Sequence, residues 1–348
     1  MRAKVSVLGH FGEGKNLLNG QTVKTKIITK ELQNQFGKDR VLTFDTHGGK
    51  KALFKAPFQV FSALKSAKNV IMLPAHNGLR VFGRLLPWIK HFFKNRRIHY
   101  IVVGGWLSEF LKDKKGLAKA LKKFDGIYVE TSSMKAALEA QGFENVVILP
   151  NFKELSALNE EDLVYPQGEP HKLCTFSRVM KEKGIEDAVR AVQAVNEGTG
   201  RTVYTLDIYG QVDAHQKEWF DALQSTFPEY VKYGGLVPFD QSVEVLKDYF
   251  ALLFPTHYYT EGIPGTLLDA YSAGVPVITA IWMNSGDIFT EGVTGRGFEF
   301  DNYDQFKALL EEIAANPEEF SAMKTTALET AKKFEPQIAV QSLTQRML

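Results

Sequence analysis

Short, β-branched apolar runs alternate with longer helix-forming stretches along nearly the whole chain, and this recurrence constrains the fold more than any other feature. In the first half, residues 5–8, 41–44, 70–73, 98–103, 126–129 and 146–149 read as strands, with helices expected over 22–36 and 79–94. The second half repeats the pattern, with strands expected at 172–176, 204–208, 231–233, 251–254 and 275–279. Apolar strands separated by helices belong in parallel sheets covered on both faces. The expected class is therefore α/β. The chain has 348 residues, beyond the ~250–300 at which one core stops growing. Two Rossmann-like domains facing a cleft are expected. The first spans residues 1–152 and the second 172–335. Between them, 153–171 is rich in Asn, Pro, Gly and acidic residues without periodicity and reads as a linker. Residues 336–348 read as a C-terminal helix crossing back to the first domain.

Net charge is only +2, yet the halves differ sharply. Residues 1–150 hold 26 Lys and Arg against ten Asp and Glu, so the first half is strongly basic and the second correspondingly acidic. Such asymmetry points to an anionic partner for the first half. The stretch 79–97 is basic, aromatic and free of acids, the composition of a segment that lies on an anionic membrane surface; a helix packed on the sheet with solvated Lys and Arg is the plainer reading. Pro87 is expected to break or start a helix there. No nucleic-acid recognition motif accompanies the charge. Neither a secretory signal nor a ~20-residue apolar span is visible, so the expected location is cytoplasmic, either free or attached peripherally to the inner membrane face. The single cysteine, Cys174, sits in an apolar run and reads as a buried strand thiol rather than a nucleophile.

In open α/β sheets chemistry gathers in the loops after strands, and three such loops stand out. Gly9–Lys15 nearly matches a phosphate-binding P-loop, but Asn16 stands where the Mg²⁺-binding hydroxyl belongs, which argues against an ATPase. Gly20, at the following helix start, is better placed to present backbone amides to phosphate. The run 176–185 supplies Arg178 and Lys183, a guanidinium and an ammonium suited to neutralising a diphosphate. In 255–278, a strand leads through a glycine-rich turn bearing Glu261 to a helix bearing Asp269. Free amides at such a turn hold phosphate, and the two acids suit sugar or ribose hydroxyls. A solvated basic loop and a capped amphipathic helix are the plainer readings of the last two.

At these residues the chain resembles the family-4 type retaining glycosyltransferases of GT-B fold, bacterial capsule and exopolysaccharide biosynthesis members among them. Glu261-x7-Asp269 resembles their E-x7-E motif, Ser177-Arg178-x4-Lys183-Gly184 their G-R-x4-K-G segment, and Pro150-Asn151 the P-N that closes their first domain. Tyr209-Gly210 and Gly234-Gly235 fall where the family has strand-end glycines. The resemblance implies that Arg178 and Lys183 hold the donor diphosphate and act catalytically with Glu261, which contacts the transferred sugar. It implies that Asp269 meets the ribose, that Gly262, Ile263 and Pro264 offer backbone groups to sugar hydroxyls, and that Gly265 and Thr266 do so to phosphates. Gly20 would approach the diphosphate from the other domain. The chain departs from the family in having Asp269 rather than Glu, and no His after the strand that ends at Val103; His76 is the candidate acceptor or sugar contact instead.

The implied reaction moves a sugar from a nucleoside-diphosphate sugar to a polysaccharide or lipid-linked glycan with retention. UDP is the preferred nucleotide and GDP stays open. Groups that grip the growing charge of the leaving diphosphate accelerate such a step. No D-x-D motif occurs, so no metal and no cofactor are expected. A nucleotide-sugar epimerase on the same fold and a non-catalytic sugar-nucleotide-binding protein are the alternatives.

Overall fold

The computed structural model describes residues 3–12, 14, 20–48, 50–166 and 168–347, with the side chains of 50–53 outside the description. Glu13, Lys15 and Asn16 of the near-P-loop lie outside the described residues.

The chain divides into two compact units, one comprising Met1–Asn151 with Pro336–Leu348 and the other Phe152–Glu335. The first unit holds β1 (Ala3–Gly9), β2 (Val41–Asp45), β3 (Ala67–Met72), β4 (Arg97–Ile101), β5 (Gly126–Val129) and β6 (Val146–Ile148). All pair in parallel, in the order β2-β1-β3-β4-β5-β6. The second unit holds β7 (His171–Phe176), β8 (Tyr204–Tyr209), β9 (Val231–Gly235), β10 (Ala251–Phe254), β11 (Val277–Ile281) and β12 (Gly295–Glu299), again parallel, in the order β12-β11-β10-β7-β8-β9. Crossovers, mostly helical, connect the parallel strands; β11 and β12 are joined through the short 3₁₀ turn Ser285–Asp287. Strands β5 and β10 are buried on both faces, with no exposed residue in either.

Both sheets share one consequence of this winding. Strand order reverses between β1 and β3 in the first unit and between β7 and β10 in the second. The connections leave in opposite directions there and open a crevice at the strands' carboxyl ends.

Three elements differ from the sequence reading. Strand β12 has no counterpart in it, because Gly-Arg-Gly-Phe-Glu lacks an apolar run. The helix expected from residue 79 begins at His76 and runs through Pro87 to Lys90 rather than breaking there. The stretch 153–171, read as a linker, lies on the second unit and ends in the first residue of β7: Leu158 donates its amide to the Ser272 carbonyl, and Leu163 fills the space beside Gly274. The C-terminal helix Pro336–Thr344 packs in the first unit against the Gly20–Phe36 helix, and Asn69 donates to the Met347 carbonyl at 3.2 Å.

Candidate functional site

The β7/β10 crevice of the second unit collects most of the residues singled out from sequence. The loop after β7 carries Arg178 and Lys183; the loop after β10 carries Glu261 and leads into the site helix, Gly265–Ser272. The two loops are locked by close backbone approach. Gly184 has φ 69°, and a Cβ on it would stand 1.8 Å from the Pro255 carbonyl oxygen. Only glycine fits that contact and that dihedral. The amide of His257 donates to the Glu182 carbonyl at 2.9 Å across the same seam. On the other flank, Gly210 (φ 134°) lies against the Ser177 carbonyl and steadies the start of the Arg178 loop.

Each acid and cation of the motif segments has a partner. Lys183 pairs with Glu261, both side chains mostly buried, and its ammonium also faces the rings of Phe254 and Tyr258 at 5.5 and 5.1 Å. The turn that carries Glu261 is pinned by Asn284, whose side-chain amide donates to the Glu261 carbonyl at 2.5 Å, and by Trp282 Nε1, which donates to the Gly262 carbonyl at 3.3 Å. Arg178 is largely exposed and reaches Asp213 at 3.5 Å. Asp269 is only 2% exposed. Lys153 Nζ lies 2.6 Å from each of its carboxylate oxygens, and Ser242 Oγ donates to Oδ1 at 2.8 Å. Burial pushes the Asp269 carboxyl up, and the Lys153 charge and hydrogen bonds oppose that shift.

Ile263 and Pro264 are buried, Gly262, Gly265 and Thr266 half-buried, and Gly265 opens the site helix. No side chain caps that helix, and its first amides lack intrahelical acceptors. The Thr266 hydroxyl is buried with no hydrogen-bond partner among the described residues. Taken together, the arrangement offers two cations, a helix N-terminus with its positive dipole end and one acid at a single sheet edge, a set that can hold a diphosphate beside a polar group.

The first unit's crevice is separate chemistry. A cavity of about 810 Å³ lies at the ends of β1, β2 and β3, lined among others by His10, Gln21, His47, His76 and Arg80. His76 stacks on Trp106 with centroids 4.0 Å apart, so the aromatic loop after β4 and the His of the preceding loop meet. His10 and His47 share a 2.7 Å hydrogen bond, and His10 Nδ1 contacts Thr22 Oγ1 at 2.7 Å. Burial, then the neighbouring His47, holds the His10 imidazole below its ordinary value. Gly20 is exposed at the first position of its helix.

Sequence reasoning did not find Lys153, Ser242, Asp213 or Asn284, nor the His10–His47 pair; all act across long separations, and only the supply of buried acids and strand-end loops hinted that partners were needed. Among the described residues, no group of three or more His, Cys, Asp or Glu side chains could hold a metal ion, and no helix is long and apolar enough to cross a membrane.

Residues 164–330 match the model of the family described as glycosyl transferases group 1. The chain is 24% identical over 131 residues to the amylovoran biosynthesis glycosyltransferase AmsK of Erwinia amylovora, a match spanning 36% of this chain but only 32% of that relative. Among solved structures, the lipopolysaccharide outer core galactosyltransferase WaaB superposes with a TM-score of 0.72 at 16% identity, covering 99% of both chains. HepE of Anabaena, solved in complex with UDP and glucose, superposes with a TM-score of 0.70 at 13% identity, again over 99% of both. The fold is GT-B.

Proposed function

We propose, from the match of residues 164–330 to the group 1 glycosyltransferases and the GT-B fold of the chain, that this protein is a retaining glycosyltransferase that moves a sugar from a nucleoside-diphosphate sugar, UDP preferred, to a polysaccharide or lipid-linked glycan. One observation carries the reading: Lys183, Glu261 and the uncapped start of the site helix meet at the β7/β10 crevice. Lys183 and Arg178 receive the diphosphate, and their grip tightens as the sugar–phosphate bond breaks and negative charge grows on the leaving group. Glu261, on a turn pinned by Asn284 and Trp282, accepts from hydroxyls of the transferred sugar. Backbone groups of Gly262, Ile263 and Pro264 complete the sugar contacts, and those of Gly265 and Thr266 meet phosphate oxygens. Within the first unit, His76, stacked on Trp106 at the cavity, contacts the acceptor. The step needs no metal. Bacterial capsule or exopolysaccharide assembly is the setting favoured by the likeness to AmsK, an amylovoran biosynthesis glycosyltransferase.

The acceptor side is a membrane surface. Residues 46–108 hold eleven Lys and Arg and no acid. Phe54, Phe58 and Phe61 lie on one face of the Lys50–Ser66 helix, with Phe54 and Phe58 84% and 80% exposed. Phe61 meets Phe93 at 5.3 Å, and exposed Trp88 meets exposed Phe92 at 6.1 Å. Exposed aromatics rimmed by cations suit insertion at an anionic lipid interface, which delivers a lipid-linked acceptor to a cytoplasmic, peripherally bound enzyme.

Release of nucleoside diphosphate from sugar nucleotides in the presence of a lipid-linked glycan tests the reading. Turnover that needs the acceptor and retains the anomeric configuration supports it. Conversion of donor alone to an epimeric sugar nucleotide overturns it.

A further inference from the structure

Asp269 occupies the place where the proposed donor site calls for a ribose-binding acid, yet its carboxylate is not available for that task. Both oxygens lie 2.6 Å from Lys153 Nζ, Oδ1 also accepts from Ser242, and the side chain is almost wholly buried. A carboxylate binds a diol through lone pairs open to the ligand; three contacts occupy these oxygens and burial closes off what remains. The group that remains open is Lys153, whose side chain is 30% exposed. An ammonium has three N–H donors, and two directed at Asp269 leave one for a ligand. The stem of Lys153 runs beside Gly265: a Cβ built there would stand 3.3 Å from Lys153 Cδ. The ammonium therefore stands at the first turn of the site helix, where the uncapped amides and the helix dipole favour negative charge. The unpartnered Thr266 hydroxyl belongs to the same turn.

We propose that Lys153, anchored by Asp269, is a third cationic contact to the donor and binds a phosphate oxygen of the nucleotide, so that the buried acid serves as a positioning residue for a lysine rather than as a ribose ligand. This rests on the donor-site reading above. A helix N-terminus gains little from a neutral ribose hydroxyl, whereas an ammonium beside it adds to the attraction for an anion.

Lys153→Met alone leaves a buried carboxylate without its counter-ion and risks the fold. The test is therefore the double variant Lys153→Met/Asp269→Asn, in which the introduced side-chain amide keeps an acceptor for Ser242, with Lys153→Arg as the conservative control. Binding of UDP, GDP, ADP and TDP is measured by calorimetry, and binding of the matching free nucleoside by NMR titration, with melting temperatures alongside. The expected result is native-like melting, a loss of about tenfold or more in affinity for the preferred diphosphate, nucleoside affinity changed less than about twofold, and recovery in Lys153→Arg. Unchanged diphosphate affinity in a folded double variant overturns the proposal, as does an equal loss for nucleoside and diphosphate, which would place the contact at the ribose. If the native protein binds none of the four diphosphates, the donor-site reading fails first and the proposal with it.

Discussion

Lys183 lays its ammonium on the Glu261 carboxylate, joining the loop after β7 to the loop after β10 across the point where strand order reverses. The pair unites the two motif segments, with the partners 78 residues apart in sequence. In the proposed reaction, a diphosphate that draws Lys183 away would free the Glu261 oxygen for a sugar hydroxyl, which would link donor binding to sugar positioning.

Glu261→Ala and Lys183→Ala are expected to lower transfer by about 10- to 150-fold each, the range for one charge-assisted hydrogen bond of about 1.5–3 kcal/mol. The two losses are expected to be non-additive, because the residues share one interaction. Steady-state rates for both single variants and the double variant check this; additive losses with unchanged melting would separate the two roles.

Gly184→Ala tests the seam between the loops. Its positive φ costs a side chain about 1–3 kcal/mol, and the new Cβ meets the Pro255 carbonyl. The melting temperature is expected to fall and nucleotide affinity with it. Gly198→Ala, in the Ile185–Thr199 helix with open space at its Cβ, is the control and is expected to be neutral or stabilising by up to about 1 kcal/mol.

How much of this was legible in the sequence divides along a physical line. Strand positions and the two-domain α/β class follow from local periodicity, and the strand-end loops at 176–185 and 255–278 follow from glycine placement. Strand β12 is invisible to that logic, since Gly295, Arg296, Gly297 and Glu299 do not form an apolar run. The exposed face of Phe54, Phe58 and Phe61 needed a helix, and the partner of Asp269 lies 116 residues away. Spacing reports neighbours on one element; it does not report which charge a buried acid meets after folding.

Lys324 supplies a pH signature of stability. It is fully buried, its ammonium donating to the Tyr249 and Gly274 carbonyls, and burial pushes it down to about 8 from 10.5. Between those values the unfolded chain holds a proton that the folded chain has released, so this residue's contribution to stability rises with pH across that window. Buried tyrosines, whose hydroxyls burial pushes up, act in the opposite sense. The difference between native protein and Lys324→Met isolates the lysine: the native protein is expected to gain on the variant from about pH 8 to 10.5, by at most about 3 kcal/mol. A flat difference in urea unfolding over that range contradicts the assignment.

Phe54→Glu/Phe58→Glu is expected to abolish most sedimentation with vesicles containing anionic lipid while leaving nucleotide binding unchanged. Binding by the native protein is expected to weaken with salt, because the basic rim is screened. Equal sedimentation of the two proteins would remove the membrane from the account.

The central claim is a nucleotide-sugar site at the β7/β10 crevice, and thermal stabilisation tests it most directly. The protein is heated with UDP-, GDP-, ADP- and TDP-sugars without added metal, beside Arg178→Ala. The account predicts a rise in melting temperature with one nucleotide class, growing with ligand concentration as binding to the folded state requires, and reduced in Arg178→Ala. No rise with any sugar nucleotide, together with a rise from ATP, would contradict it and return attention to the loop at Gly9–Lys15.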